Sequence, residues 1–203
     1  MASFCSNSPA NLFISATAGG YGNTNWYFDG GHTTNQEANL AADAEAGVLN
    51  ADPFATVIYT TSTNHIYLGA TVAGYYSGGW DDGLGSMFDS FATNGDVEFS
   101  GNSGWYIMAT LDSYNGQRAT FQSSFLTWFS SNAFGGINYS NTPVGAVDHV
   151  DEPTKAGVED AYTYYRDWAL GKPFGITAWD ALFNNHYGVF IHCAAVGDPF
   201  VSR

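Results

Sequence analysis

Short apolar runs that end in small, turn-forming residues alternate with amphipathic stretches along this chain. Runs rich in β-branched and aromatic residues predict strands at Asn11–Ala16, Ala55–Thr60, Val72–Tyr76, Tyr106–Leu111, Val144–Val147 and Ile191–Val196. Stretches with helical spacing or helix-forming composition predict helices at Gln36–Leu49, Gln117–Asn132, Glu159–Leu170 and Gly175–Asn185. Because strands and helices alternate, we expect one α/β domain over residues 1–203, with a mostly parallel central sheet flanked by helices.

Glycine-rich segments between these elements predict long loops at Gly19–Gly31, Gly78–Gly85, Asn94–Gly104 and Gly135–Asn141. In or beside these loops lie the candidate binding residues Trp80, Asp81, Asp82, Trp105 and Tyr139. Stacked aromatic rings with Asn and Asp suit carbohydrate rings or another protein surface. The alternative is that the rings fill a small core beneath the loops, and the sequence leaves both interpretations open.

The charge balance is sparse and acidic. The chain has 19 Asp and Glu residues and five Lys and Arg residues, which give a net charge of −14. So few cations cannot neutralise a run of phosphates, which makes nucleic acid an unsuitable partner. No apolar stretch is long enough to span a bilayer. Because few ions must be desolvated where two copies touch, we expect self-association into a homo-oligomer or filament.

The ends of the chain bear on its location. Met1–Cys5 lacks the basic and apolar regions of a signal peptide. The low Lys content and the abundance of Asn, Ser, Thr, Tyr and Gly are typical of secreted and surface proteins, so we expect an extracellular or cell-surface location, in a chain that stands alone or is part of a longer secreted protein. Cys5 and Cys193 either form a disulfide or remain separate thiols, with Cys193 in the core.

Several motifs in the later part of the chain carry a family resemblance. They are Thr142–Val147, Asp148–Pro153, Tyr164–Lys172, Ile176–Ala181 and Ala195–Phe200. Together they resemble the caspase-like clan, which includes the gingipain and clostripain type peptidases, and specifically a bacterial group whose chains end in a strand-Gly-Asp-Pro motif. The resemblance extends from Val72 to Arg203 and implies a caspase-like sandwich.

The resemblance also implies where catalytic side chains belong. Active members of the clan carry a His in a Ser-Gly-His-Gly turn after one strand and a Cys after a later strand, and the Cys thiolate attacks a peptide carbonyl. Here the first turn reads Tyr76-Ser77-Gly78-Gly79-Trp80 and the second Thr110-Leu111-Asp112-Ser113. Trp80 or its neighbour stands where the His is expected, and Leu111 or Thr110 stands where the Cys is expected. Neither Trp nor Leu transfers a proton or acts as a nucleophile. We therefore expect a pseudoenzyme, a non-catalytic protein that acts in binding or assembly.

A hydrolase is the alternative function. It would use Cys193 as a nucleophile, or His149 and Glu152 as a metal-binding or acid–base pair. The structural alternative for Asp148–Pro153 is a turn in which the acidic side chains accept backbone hydrogen bonds. Ser113, with no His near it in sequence, is expected to be a solvated loop residue.

Two acidic segments offer ligands for a metal ion. Asp81 and Asp82 suit Ca²⁺, a hard cation that prefers carboxylate oxygens, although the spacing of an EF-hand is absent. Asp29 and His32 form a second candidate set whose spacing matches no established pattern. No other cofactor is expected.

The acidic charge predicts how association depends on pH. Repulsion between copies falls as carboxylates become protonated, so light scattering should rise as the pH drops from 7 toward the sequence pI of about 4.2. The measurement is static light scattering at constant ionic strength. Scattering that is unchanged or weaker near pH 4.2 than at pH 7 would contradict the prediction.

Overall fold

The computed structural model describes residues 25–29, 35–60, 66–68, 71–77, 91–101, 103–111, 113–118, 124–152, 158–183 and 192–203. For residues 25–29, 35–38, 59–60, 66–68 and 77 the description covers the backbone alone. The predicted strand at Asn11–Ala16 lies outside the described residues.

The strands are β1 (Asn25–Asp29), β2 (Thr56–Thr60), β3 (Ile66–Leu68), β4 (Val72–Ser77), β5 (Val97–Phe99), β6 (Ile107–Thr110), β7 (Gly145–His149) and β8 (Cys193–Gly197). The helices are α1 (Asn35–Ala51), α2 (Phe125–Trp128), α3 (Ala161–Ala169) and α4 (Phe174–Phe183), with a 3₁₀ turn at Ala133–Gly135.

Six strands form the central sheet in the order β2-β1-β4-β6-β7-β8. Neighbouring strands are parallel, except that β8 runs antiparallel to β7. The predicted strands that begin at Val72 and Tyr106 become the neighbours β4 and β6, with Ser77 opposite Thr110. A separate parallel pair is formed by β3 and β5. The expected α/β class with a mostly parallel sheet is therefore confirmed.

Alternate residues of the sheet face two apolar cores. Ile107 and Ala109 of β6 pack on the side of α1, α3 and α4, while Tyr106 and Met108 pack on the side of Trp128 and the 3₁₀ turn. This alternation follows from the period of two along a strand. Because both faces are covered, β6 is buried at every position.

Helix α3 is anchored to the main chain of the sheet by three aromatic side chains. The Tyr164 hydroxyl donates to the Met108 carbonyl (3.1 Å). The Tyr165 hydroxyl donates to the Tyr75 carbonyl (2.5 Å). The Trp168 indole donates to the Ala73 carbonyl (3.0 Å). All three side chains are fully buried, so each polar tip is satisfied where water is absent.

An ion network joins α3 to the helix that follows it. The buried Asp167 carboxylate accepts from the Arg166 guanidinium (2.9 Å) and from the Lys172 ammonium (2.8 Å). Lys172 also donates to Asp180 of α4 (3.0 Å), and this bond lowers the pKa of Asp180. The network fixes the turn between α3 and α4.

The predicted helix at Gln117–Asn132 is wrong in extent. Among the described residues of that range, only Phe125–Trp128 is helical, and Ser124 caps it by accepting from the Leu126 N–H. The Ser130 hydroxyl then donates to the Thr127 carbonyl (2.8 Å) and also lies within hydrogen-bond distance of Asn132 Oδ1 (3.1 Å). Serine and asparagine side chains that bond to nearby groups favour turns over a continued helix.

Two of the predicted loops contain strands. Residues 25–29 of the segment Gly19–Gly31 form β1, and Val97–Phe99 of the segment Asn94–Gly104 forms β5. Both are short runs beside Gly and Asn residues, so their local signal is weak. Pairing with neighbouring strands overrides it.

No helix in the described part of the chain has both the length and the apolar character needed to cross a membrane.

Helices α1 and α3 cross at Gly47. A Cβ atom there would overlap the Tyr162 carbonyl oxygen and lie 3.1 Å from the Tyr162 Cα. Both atoms belong to the backbone of α3, so relief requires one helix to move.

Replacement of this glycine tests the crossing. A Gly→Ala change in a helix ordinarily stabilises by about 1 kcal/mol. Gly47→Ala should instead lower the free energy of unfolding by about 1–3 kcal/mol, because of overpacking. Urea denaturation measures the change, and Ala46→Gly on the exposed side of α1 is the propensity control. Stabilisation by Gly47→Ala would show that the helices do not meet there.

Candidate functional site

The carboxyl ends of β4, β6 and β7 meet at one edge of the sheet, where α/β proteins hold their ligands. These strands end at Ser77, Thr110 and His149. Residues 78–90, which follow β4, lie outside the described residues. The site is therefore built from the residues after β6 and β7.

Asn115 fastens the loop after β6 to the end of β7. It is fully buried, and its amide Nδ2 donates to Thr110 Oγ1 (2.5 Å). Its Oδ1 accepts from the His149 backbone N–H (2.7 Å). The Gly116 N–H donates to the His149 carbonyl (2.8 Å), at a position where a Cβ would lie 2.6 Å from Asp148 Oδ1. This close approach requires glycine.

Ser113 is buried and is not the solvated serine that the sequence suggested. Its hydroxyl donates to Glu152 Oε1 (2.8 Å). Among the described residues no histidine bonds to Ser113, so its described contacts do not include the proton acceptor that a serine hydrolase uses. Of the two residues expected at the place of a catalytic Cys, Leu111 is half-buried and Thr110 is buried.

A second polar cluster lies under the end of β7, on the face covered by α3. His149 on β7 is opposite Cys193 on β8 in the antiparallel register, and Glu159 lies in the segment that leads into α3. His149 Nε2 is 3.3 Å from Glu159 Oε2, and both side chains are fully buried. One nitrogen, sulfur or oxygen atom from each of the three residues lies within 4.8 Å of the others.

Burial dominates the electrostatics of this region. It raises the pKa of the Asp148 carboxyl to about 7, while the nearby His149 partly lowers it. The Ala194 backbone N–H also lowers this pKa. Burial also raises the pKa of the Cys193 thiol, and the carboxylates of Glu159 and Asp148 raise it further. By itself Cys193 is thus a protonated thiol at neutral pH, and a thiol is a poor nucleophile.

The structure separates two residues that the sequence suggested as a pair. His149 faces Glu159 and Cys193, whereas Glu152 is exposed and accepts from Ser113. The turn interpretation of Asp148–Pro153 is also wrong at its start, because Asp148 and His149 are buried residues of β7. Asp148 and His149 face opposite sides of the sheet, and both are buried because both faces are covered at β7.

Two of the candidate binding residues, Trp105 and Tyr139, lie among the described residues. Trp105 is buried and its indole donates to the Ser202 carbonyl (3.1 Å), which favours the core interpretation for this ring over the binding one. Tyr139 is 41% exposed and lies in a turn that contacts Ser103, before β6 begins. It is therefore at the amino end of β6, away from the loop after Thr110.

Several other predicted site residues cannot be placed. Trp80, Asp81, Asp82 and His32 lie outside the described residues, and Asp29 is described by its backbone alone. The Ca²⁺ prediction therefore stays a prediction. Cys193 carries a thiol in the structure, and Cys5 lies outside the described residues.

Glu159 is the site residue that sequence reasoning missed. The sequence placed it at the start of a helix, but Asp160 is the N-cap and accepts from the Thr163 N–H (3.0 Å), so Glu159 precedes α3. Asp is a preferred N-cap residue, so Asp160 is itself a sequence signal for a helix that begins at Ala161. The approach of Glu159 to His149 depends on tertiary packing and has no local signal.

Helix α4 exposes an apolar face. Its buried side carries Phe174, Thr177, Ala178 and Ala181. On its exposed side, Ile176, Trp179 and Phe183 follow one another at helical spacing. The Trp179 and Phe183 rings stack with centroids 4.1 Å apart and are 59% and 60% exposed. We call these three residues the α4 apolar face.

Comparisons of the chain with protein-family models, with curated proteins and with solved structures found no match.

Asn115 tests how the loop after β6 is held. Asn115→Ala leaves the His149 N–H and the Thr110 hydroxyl without their partner, and it should lower the free energy of unfolding by about 2–3 kcal/mol. The exposed Asn132→Ala is the matched control, with an expected change within about 0.5 kcal/mol. If urea denaturation gives equally small changes in the free energy of unfolding for the two substitutions, then Asn115 does not hold the loop after β6 against β7.

Proposed function

We propose that this chain is a non-catalytic, extracellular or cell-surface protein on a caspase-like scaffold, and that it functions by binding and self-assembly. The observation that carries the proposal is the identity and bonding of the residues in the loop after β6. Leu111 or Thr110 stands where the resemblance expects the nucleophile, and Ser113 donates to a carboxylate with no histidine among its described contacts. Asn115 and Gly116 hold this loop against β7 through hydrogen bonds to the His149 backbone, so their polar groups have a structural role.

The strand arrangement supports the caspase-like scaffold. The resemblance requires that the strands before the two catalytic turns be neighbours in a mostly parallel sheet. β4 and β6 are parallel neighbours, and Tyr76 is opposite Ala109 in their register. The antiparallel β8, which ends at Gly197 before Asp198 and Pro199, lies at the sheet edge beyond β7.

The α4 apolar face supports assembly, and a second copy of this chain is the partner that we propose. Large stacked aromatic rings at the centre of a contact contribute much of its binding energy. The charge nearest to them in sequence, Asp180, is paired with Lys172. Two such faces can therefore meet without placing the carboxylate of Asp180 unpaired at the contact. In a chain with a net charge of −14, this limits the repulsion between two copies.

A hydrolase that uses Cys193 is the second candidate function. The observation in its favour is the proximity of Cys193 to His149 and Glu159, which resembles a nucleophile with a base and its orienting carboxylate. The raised pKa of the thiol argues against it, because the thiolate is the reactive form.

Self-association through α4 is tested with one aromatic substitution. Trp179→Ser should weaken association by about 30-fold, which corresponds to about 2 kcal/mol for an aromatic residue at the centre of an interface. Sedimentation equilibrium over a range of protein concentrations measures the constant. The control is Phe54→Ser, because Phe54 is 93% exposed in the turn between α1 and β2.

The two variants separate the possible outcomes. Loss of association in Trp179→Ser but not in Phe54→Ser supports the α4 apolar face. A wild-type protein that stays monomeric at the highest concentration rejects the assembly proposal. Equal weakening by both substitutions would show that contact between copies is a general effect of exposed aromatic residues.

A further inference from the structure

The cluster of His149, Glu159 and Cys193 brings together three elements of the fold. His149 closes β7, Cys193 opens β8, and Glu159 immediately precedes the cap of α3. The first two residues are paired in the sheet register, so their separation is set by the backbone. The cluster belongs neither to the loop after β6 nor to the α4 apolar face.

Glu159 shows an unmet requirement for a cation. Both of its carboxylate oxygens are buried, and neither has a hydrogen-bond partner among the described residues. The His149 Nε2 lies 3.3 Å from Glu159 Oε2. In the described part of the chain, the Lys and Arg ion pairs are made with Asp167 and Asp180 instead. A buried carboxylate without compensation costs several kcal/mol, and coordination to a metal ion is one of the few ways to remove that cost.

The donor atoms match those of a zinc ion. Zn²⁺ binds imidazole nitrogen, thiolate sulfur and carboxylate oxygen, which are the three atom types present here. Three residues supply three separate ligands, and the second oxygen of Glu159 would complete a distorted four-coordinate site, because the two oxygens of one carboxylate lie closer together than the corners of a regular tetrahedron. Calcium and magnesium are disfavoured, because they prefer oxygen ligands throughout.

The distances allow this coordination after small side-chain adjustments. Ligand atoms around a tetrahedral zinc ion lie about 3.3–3.8 Å apart, given metal–ligand bonds of about 2.0–2.3 Å. The His149–Glu159 separation of 3.3 Å is already in that range. All three ligand atoms lie within 4.8 Å of one another. A side-chain shift of about 1 Å would therefore bring them to the spacing that one zinc ion requires.

We propose that His149, Glu159 and Cys193 form a buried structural site for a Zn²⁺ ion, which ties the β7–β8 edge of the sheet to the start of α3. The ion displaces the Cys193 proton and neutralises the Glu159 carboxylate, so it stabilises the folded chain by mass action. The site is independent of the assembly proposal, because none of its residues lies on the α4 apolar face.

The test is a titration of metal-free protein with Co²⁺, followed by displacement with Zn²⁺. Cobalt reports its ligands, because a bound thiolate gives a sulfur-to-metal charge-transfer band and tetrahedral geometry gives intense visible bands. The chain has two cysteines. The Cys5→Ser variant therefore assigns the sulfur: a charge-transfer band that persists in this variant can come from Cys193 alone.

The proposal requires one Co²⁺ per chain in the wild type and in Cys5→Ser, with the charge-transfer band present, and a rise in the melting temperature on addition of Zn²⁺. Cys193→Ser should lose the band, and Glu159→Gln should bind Zn²⁺ more than about 10-fold more weakly. If either of these variants fails to fold, the Cys5→Ser spectrum still decides the outcome. Absence of the band in Cys5→Ser, or the lack of any change in melting temperature with Zn²⁺, overturns the proposal.

Discussion

Three hydrogen bonds from the aromatic side chains of α3 to the sheet hold the two main layers of this protein in place. Tyr165 and Trp168 reach carbonyl groups of β4, and Tyr164 reaches one of β6. Each bond contributes about 1 kcal/mol net, and the loss of a buried acceptor's partner would cost more. The rings that carry the donors fill the core between α3 and the sheet, so packing and hydrogen bonding depend on the same residues. They anchor the two strands at whose ends the caspase resemblance expects catalysis.

The position of α3 also decides where reactive groups collect. Once α3 is held against β4 and β6, its cap at Asp160 places Glu159 beside His149 at the end of β7. The polar groups after β6 bond instead to β7, through Asn115 and through Ser113 with Glu152. Among the described residues, the cluster of groups that could act as a site thus lies one strand further along the sheet, between β7 and β8. We take this placement as support for the proposed binding and assembly role, since Leu111 or Thr110 stands where the resemblance expects the catalytic Cys.

The sequence predicted the elements whose signal is local. The strands β4 and β6 and the helix α1 were found because apolar runs and an Ala-rich, Pro-free stretch report them directly. The helix predicted over Gln117–Asn132 was wrong, because Ser130 bonds locally and competes with helical hydrogen bonds. For Trp105 the sequence left a binding surface and a small core open, and the structure places its ring in the core, where the indole bonds to the C-terminal segment. Glu159 was not found, because its approach to His149 depends on how α3 packs against β4 and β6, which no local sequence pattern reports.

Peptide hydrolysis tests most directly whether the scaffold is non-catalytic. Wild-type protein is incubated with a broad library of fluorogenic peptides, with and without Zn²⁺, beside Cys193→Ala and His149→Ala variants whose folding is verified by circular dichroism. We predict that none of the three proteins cleaves any peptide above the rate in buffer, with or without the ion. Wild-type cleavage that disappears in Cys193→Ala or His149→Ala would contradict the account and establish a hydrolase at the β7–β8 edge.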